Sequence, residues 1–206
     1  ASGINLYATL FMLGYMGTTG NISLPQELEV LTNPMVMTAA GFMYCVEFFA
    51  DKIPGVDSGW DSIHTFIRIP AGAMLAASAV GDVTPAIELS AAILGGSLAA
   101  GSHMTKSGTR LLINTSPEPV TNWSASISED LLVIGGLWAA LNHPVLFIIG
   151  LIIFIALMIW LLPRIWRLLK RVFRRIGSWL GLCEPPEPDA VISDKLNEKP
   201  IEQIKT

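Results

Sequence analysis

The chain has 206 residues, is 51% hydrophobic and only 15% charged, and carries a net charge of −4. Soluble domains average about 25% charged residues, so this composition argues against a soluble domain. The charge is also unevenly placed, because apolar runs fill residues 1–162 while a basic segment and then an acidic tail fill the remainder.

Six apolar segments precede Pro163, at residues 1–17, 34–50, 66–80, 85–105, 127–141 and 144–162. A helix of about 20 residues crosses a hydrocarbon layer of ~30 Å, and fewer suffice where the bilayer thins. The segments form three pairs, and the second member of each pair begins with a proline, namely Pro34, Pro85 and Pro144. Proline suits the first helical turn, so the pattern predicts an all-α protein built from three helical hairpins.

The positions of the basic residues predict how these helices are arranged. Lys52, Arg68, Lys106 and Arg110 lie in alternate breaks between apolar segments, and every other Lys or Arg follows Pro163. If residues 131–162 formed one long helix kinked at Pro144, these four residues would face away from the Arg-rich end. Six spans place every cation on one side, as the positive-inside rule requires. We therefore predict a polytopic membrane domain over residues 1–162, with both termini in the cytoplasm.

Small residues interrupt several of the predicted helices. Gly3, Gly72 and Gly135-Gly136 lie within them, and small residues crowd 71–79 and 95–101. The simpler interpretation is close packing of small residues between helices. The alternative is a set of broken helices that line a cavity, as in transporters. Short helices rich in small residues are also compatible with a homo-oligomer or a membrane-protein partner.

The residues after Leu162 form two further predicted regions. Residues 163–182 alternate basic and apolar side chains and predict an amphipathic helix at the membrane interface, binding anionic lipid headgroups through Arg164, Arg167, Lys170, Arg171, Arg174 and Arg175. The aromatic-rich apolar stripe favours lipid over nucleic acid as its partner. Residues 183–206 are proline-rich, acidic and too polar to bury a core, which predicts a disordered tail.

One loop contains a candidate metal site. Asp57, Asp61 and His64 are spaced so that one helical face would carry two carboxylates and an imidazole. Such a set can bind a hard cation or a mixed-ligand metal. The alternative is a solvated helix face with capping aspartates. No nucleotide-binding glycine loop accompanies these residues, and we expect no cofactor.

Basic residues define a second candidate site. His103, Lys106 and Arg110 form a stripe at the inner end of the fourth helix, and Arg68 starts the third. They could bind an anionic group, with the arginines as bidentate clamps, or simply extend to lipid phosphates. The candidate substrate-binding set is Arg68, His103, Lys106, Arg110, Asn114 and Glu118. The residues expected to pair with its charges are Glu47, Asp51, Lys52, Asp57 and Asp61.

Four motifs carry a resemblance to a known family. They are Gly3-x-Asn5-Leu6-Tyr7, Glu47-x-x-Ala50-Asp51-Lys52-Ile53-Pro54-Gly55-Val56-Asp57-Ser58, His64-Thr65-Phe66-Ile67-Arg68-x-Pro70-Ala71-Gly72, and Asn114-Thr115-Ser116-Pro117-Glu118-Pro119. With them, residues 1–175 resemble the bacterial membrane family catalogued as domain of unknown function 4126. The resemblance implies the bacterial inner membrane as the location and supplies no catalytic residues. It also implies residues ahead of Ala1, and no signal peptide is predicted.

Three functional hypotheses follow from these features. The first is a small transporter or channel for an anionic solute or a lipid headgroup, without enzymatic activity. The second is a non-catalytic membrane scaffold whose charged loops dock another protein. The third is a metal-dependent membrane enzyme that uses Asp57, Asp61 and His64.

Overall fold

The structure is a computed structural model that describes residues 1–53, 55–114 and 119–179. All regular elements in these ranges are helical. The α-helices are α1 (Leu6–Thr18), α2 (Pro34–Ala50), α3 (Val56–Ala79), α4 (Pro85–Ile113), α5 (Pro119–Asn142) and α6 (Pro144–Trp179), and a 3₁₀ helix (Gln26–Thr32) joins α1 to α2. All packing described below lies within Ala1–Trp166.

The helices begin at local start signals. The predicted proline starts are confirmed, because α2, α4 and α6 begin at Pro34, Pro85 and Pro144. Asn33 caps α2, since its side-chain oxygen accepts a hydrogen bond from the Met35 N–H at 2.9 Å. Proline lacks the N–H that would be unpaired in the first turn, so a helix that starts with proline loses no hydrogen bond.

Consecutive helices run in opposite directions. On α1 and α2, the Thr18 hydroxyl lies 3.4 Å from Met37 Sδ, near the end of one helix and the start of the other. On α3 and α4, Thr65 contacts His103 while Asp57, a residue earlier in α3, contacts Asn114, later in α4. The polar residues at 1–9, 47–53, 55–68, 102–114 and 120–130 therefore come together at one end, which we call the polar end.

Helices α4 and α6 are parallel and touch through glycines of α4. A Cβ placed on Gly101 would lie 2.8 Å from Met158 Sδ, and one on Gly108 would lie 2.5 Å from Ile165 Cγ2. From the first contact to the second, each helix advances by seven residues, about two helical turns. The two helices therefore run in the same direction. With α5 between them in the chain, all six helices alternate in direction.

Helices α3 and α4 pack backbone to backbone. A Cβ on Gly95 would lie 2.2 Å from Ala76 Cβ, and one on Gly72 would lie 2.4 Å from Ala99 Cβ. These separations are far below van der Waals contact, so only glycine allows this approach. The close packing of small residues predicted from the sequence is therefore present between these two helices.

Polarity is inverted relative to a soluble protein. Glu47, Asp57, Arg68 and Arg110 have no accessible surface, whereas large apolar side chains cover the outside, especially on α5 and α6. Two segments, Val120–Asn142 and Pro144–Arg171, are long and apolar enough to cross a membrane. Only 11% and 6% of their most apolar stretches are buried, so neither is a core helix.

Several elements are longer than predicted. Helix α3 begins at Val56 and α4 extends to Ile113, which carries both helices well beyond the apolar runs 66–80 and 85–105. Helix α6 continues through Pro163, so the basic segment expected as a separate interfacial helix is continuous with the last apolar helix. An internal proline removes one helical hydrogen bond but need not end a helix. The predicted tail at 183–206 lies outside the described residues.

Candidate functional site

The ammonium group of Lys106 is surrounded by four carboxylates. Its Nζ lies 2.8 Å from Asp51 Oδ2, 3.3 Å from Glu47 Oε1, 3.4 Å from Glu129 Oε2 and 3.8 Å from Asp61 Oδ1. These carboxylates come from α2, the loop after it, α3 and α5, so one side chain of α4 joins four parts of the chain.

Two arginines complete the arrangement. Arg68 contacts Glu47 at 2.5 Å and Asp61 at 3.1 Å. Arg110 binds both carboxylate oxygens of Glu129, at 3.2 and 2.8 Å. Its other nitrogen donates to the Asp51 carbonyl at 2.9 Å and to Asn122. The fork of a guanidinium group suits such bidentate contacts, which are stronger than neutral hydrogen bonds.

These seven residues, which we call the ion-pair network, are Arg68, Lys106, Arg110, Glu47, Asp51, Asp61 and Glu129. Only Glu129 has appreciable side-chain exposure, at 17%. The carboxylates outnumber the cations by one. An unpaired charge in an apolar interior is very costly, so removing any one member would leave another without its partner.

His103 extends the network toward α3. Its Nδ1 accepts a hydrogen bond from Arg68 Nη1 at 3.1 Å, because arginine can only donate. Its Nε2 therefore carries the hydrogen and donates to the Thr65 hydroxyl at 2.7 Å. Thr65 in turn donates to the Asp61 carbonyl at 2.9 Å. This chain of bonds fixes His103 as a neutral positioning group beside Arg68.

His64 lies in a separate aromatic setting. Its Nδ1 donates to the Trp60 carbonyl at 2.8 Å, which leaves Nε2 to accept from the Tyr7 hydroxyl at 3.0 Å. The indole of Trp60 stacks on the imidazole with ring centres 4.2 Å apart. Burial lowers the pKa of His64 below its ordinary value of 6.5, although its bond to the Trp60 carbonyl opposes the shift.

Asp57 fastens the start of α3 to the end of α4. It accepts from the Gly55 and Ser58 N–H groups at 2.9 and 2.6 Å. Asn114 Nδ2 lies 2.9 Å from each of its carboxylate oxygens. The preceding Gly55 has φ +89°, a conformation that glycine adopts without strain. Both carboxylate oxygens of Asp57 therefore already have partners within the protein.

The predicted metal ligands do not form a metal site. Asp57 binds Asn114, Asp61 pairs with Arg68, and both ring nitrogens of His64 already have partners. Among the residues that the structure describes, no group of three His, Cys, Asp or Glu side chains is placed to hold a metal ion. The hypothesis of a metal-dependent enzyme thus gains no support from the geometry.

The predicted anion-binding residues are brought together in part. Arg68, His103, Lys106 and Arg110 all lie in or against the ion-pair network. Asn114 lies one turn further along α4 and binds Asp57 instead. Glu118 lies outside the described residues. Of the residues expected to pair with these charges, Glu47, Asp51 and Asp61 belong to the network.

Lys52 occupies a neighbouring site of its own. Its Nζ lies 2.9 Å from the centre of the Phe48 ring, donates to the Phe48 carbonyl at 3.0 Å and lies 3.4 Å from Ser126 Oγ. Burial lowers the pKa of its ammonium group, while the nearby Asp130 and Asp51 carboxylates oppose the shift. The ammonium group is thus held by an aromatic face and two neutral oxygens.

Sequence reasoning missed Glu129, Asp130 and Asn5 as members of the polar end. Asn5 Nδ2 donates to Asp130 Oδ1 at 3.0 Å, across 125 residues of sequence. One signal was present, because Glu129-Asp130 directly precedes the apolar run 131–141. Carboxylates at the edge of an apolar helix need partners elsewhere in the protein. The identity of those partners requires the tertiary fold.

The fold and the site together define an all-helical protein that buries its charges at one end and exposes its most apolar helices. The chain belongs to the family described as domain of unknown function DUF4126, which matches residues 1–164. No curated protein and no solved structure matches it.

Proposed function

We propose that the protein is a six-span transporter of the bacterial inner membrane, in which the ion-pair network forms a gate at the cytoplasmic end. The alternating directions of the six helices support an even number of crossings. The polar end also carries Lys52, Arg68, Lys106 and Arg110, which the positive-inside rule assigns to the cytoplasm. The exposed apolar surface of α5 and α6 would face lipid.

The single observation that carries the proposal is the position of Lys106 among four carboxylates, three of them buried. Helix α2 has 17 residues, about 26 Å at ~1.5 Å per residue. That is shorter than the ~30 Å hydrocarbon layer. Glu47, in its last turn, would therefore lie within the inner edge of the bilayer. Charged groups at that depth are costly and mark ion pathways in many membrane proteins.

The composition of the network bears on the cargo. An anion, as expected from the sequence, could bind Arg68, Lys106 and Arg110 only after displacing the carboxylates that hold them. The excess of one carboxylate favours a cation instead, with the proton as the smallest candidate. We therefore propose that cation movement through this network is coupled to transport, and that an anionic cargo would bind only when the bridges open.

Reconstituted vesicles test the proposal directly. The purified protein is placed in liposomes with a trapped pH dye, and a potassium gradient with valinomycin imposes a membrane potential. Parallel vesicles report sodium and phosphate uptake. We expect the wild type to take up protons. The Lys106→Gln variant should change the rate of proton uptake at least fivefold. The control Glu29→Gln alters an exposed carboxylate at the opposite end and should leave uptake unchanged. Absence of any flux from the wild type would contradict transport.

A membrane scaffold is the second candidate function. It is favoured because the cations of the ion-pair network are already paired within the protein. Each of Arg68, Lys106 and Arg110 is already held by carboxylates. A network that only fastens helices together would have this appearance. In that case the wild type gives no flux in any of the three assays, while Lys106→Gln still lowers thermal stability. A stoichiometric membrane-protein partner would then be recovered with the wild type by crosslinking.

A further inference from the structure

Asp130 is a buried carboxyl group outside the ion-pair network. It lies on α5, is 9% exposed, and accepts a hydrogen bond from Asn5 Nδ2 at 3.0 Å. Its second oxygen, Oδ2, is buried, and the neutral Tyr44 hydroxyl also lies within hydrogen-bonding reach of the carboxyl group. Every carboxylate of the network, by contrast, lies within 4.0 Å of a Lys or Arg nitrogen.

The amide of Asn5 is held in a fixed orientation toward Asp130. Asn5 caps α1, because its Oδ1 accepts from the Ala8 N–H at 2.9 Å. Only its Nδ2 is left to face Asp130, so the neighbour is a neutral donor. A neutral donor compensates a buried negative charge far less than a cation does. The geometry is that of a carboxyl group that can exist in its protonated form.

The charged and titratable groups around Asp130 lie on α2, on the loop after it and on α4. They are Tyr44 of α2, Asp51 and Lys52 of the following loop, and Lys106 of α4. Lys106 is held by the network carboxylates, and Asp51 repels a second negative charge. Lys52 is the cation able to respond, because its Nζ lies 3.4 Å from Ser126 Oγ, one helical turn before Asp130.

We propose that Asp130 is a proton-binding site, and that its proton exchanges with a change of partner by Lys52. With the carboxyl protonated, Lys52 binds Phe48 and Ser126, as in this structure. Loss of the proton leaves a carboxylate, and the Lys52 ammonium moves along α5 from Ser126 to Asp130. One proton leaves to water at the polar end, and the positive charge of Lys52 replaces it. That this proton drives transport rests on the proposed function, whereas proton binding itself does not.

Infrared titration of the protein in lipid nanodiscs tests the inference without a substrate. A protonated carboxyl group absorbs at a higher frequency than a carboxylate. We expect the wild type to show a carboxylic-acid band at neutral pH that disappears on alkaline titration. Asp130→Asn removes this band and Asp130→Glu restores it. Asp82→Asn, which alters an exposed carboxylate in the turn before α4, leaves it in place.

A second variant tests the arrangement rather than the residue alone. Asn5→Ser keeps a residue that caps α1 well but removes the amide donor to Asp130. Because that donor favours the carboxylate form, its loss should make the acid band persist to higher pH. An unchanged titration in Asn5→Ser, with the helix content retained, would contradict the role given to Asn5.

The outcomes separate this inference from the transport proposal. A wild type without the band, or Asp130→Asn retaining it in full while keeping its thermal stability, overturns the proton site whatever the liposomes show. A band assigned to Asp130 together with absent flux supports the proton site and contradicts transport. A band together with flux that Asp130→Asn uncouples from the pH gradient supports both.

Discussion

Asn114 Nδ2 lies 2.9 Å from each carboxylate oxygen of Asp57 and so ties the end of α4 to the start of α3. Asn114→Ala removes this clamp and should lower the free energy of unfolding by about 1–3 kcal/mol, because a bond to a charged acceptor is lost. Thermal unfolding in detergent measures the effect. Asn142→Ala, which loses an exposed bond to the Trp138 carbonyl, is the matched control and should have little effect.

Lys106 is expected to be the most sensitive position of the network. Lys106→Met leaves the four carboxylates with one cation fewer and should cost about 3–5 kcal/mol, the usual cost of removing one member of a buried ion pair. Adding Glu47→Gln should restore part of the loss, because it removes one of the uncompensated negative charges. A double variant no more stable than Lys106→Met would mean that the two residues are not coupled.

Glycine positions offer a contrast between tight and open packing. Gly95→Ala places a Cβ 2.6 Å from the Gly72 carbonyl oxygen, so α3 and α4 must separate. A loss of about 1–3 kcal/mol is expected from such overpacking. Gly135→Ala meets nothing within 4 Å and should instead stabilise α5, by up to about 1 kcal/mol of helix propensity. Equal effects at the two positions, measured by thermal unfolding, would contradict the packing described.

The lowered pKa of His64 predicts how stability depends on pH. Because burial depresses the pKa of folded His64 below 6.5, the unfolded chain takes up its proton first as the pH falls. Stability from this residue is therefore complete above pH 6.5 and declines below it, down to the folded pKa. His64→Gln should flatten the dependence of the unfolding temperature on pH below about 6.5. An identical slope in the variant would refute the assignment.

Features set by local chemistry could be predicted from the sequence. The starts of α2, α4 and α6 follow from prolines in the first helical turn, and the convergence of Arg68, Lys106 and Arg110 follows from charge placement alone. The full lengths of α3 and α4 could not be predicted. Their polar turns are stabilised as helix by contacts with residues that are distant in the sequence. Residues 56–65 are polar in sequence, yet Asp57, Asp61 and His64 are buried.

The same distinction applies to the site. The sequence predicts cations at the polar end, but it does not say which carboxylates hold them. Glu129 reaches Arg110 from another helix, and Asn5 reaches Asp130 across 125 residues. An anion site was therefore expected where the fold places an acid-rich network. Only the three-dimensional arrangement gives the ratio of carboxylates to cations.

The Arg110–Glu129 bridge has a consequence for biogenesis. Glu129 follows Arg110 by 19 residues, so the guanidinium emerges from the ribosome before this carboxylate does. In the six-span protein proposed above, Arg110 would lack this partner until α5 emerges. Truncation before α5 should consequently leave the first four helices poorly assembled and exposed to membrane quality-control proteases.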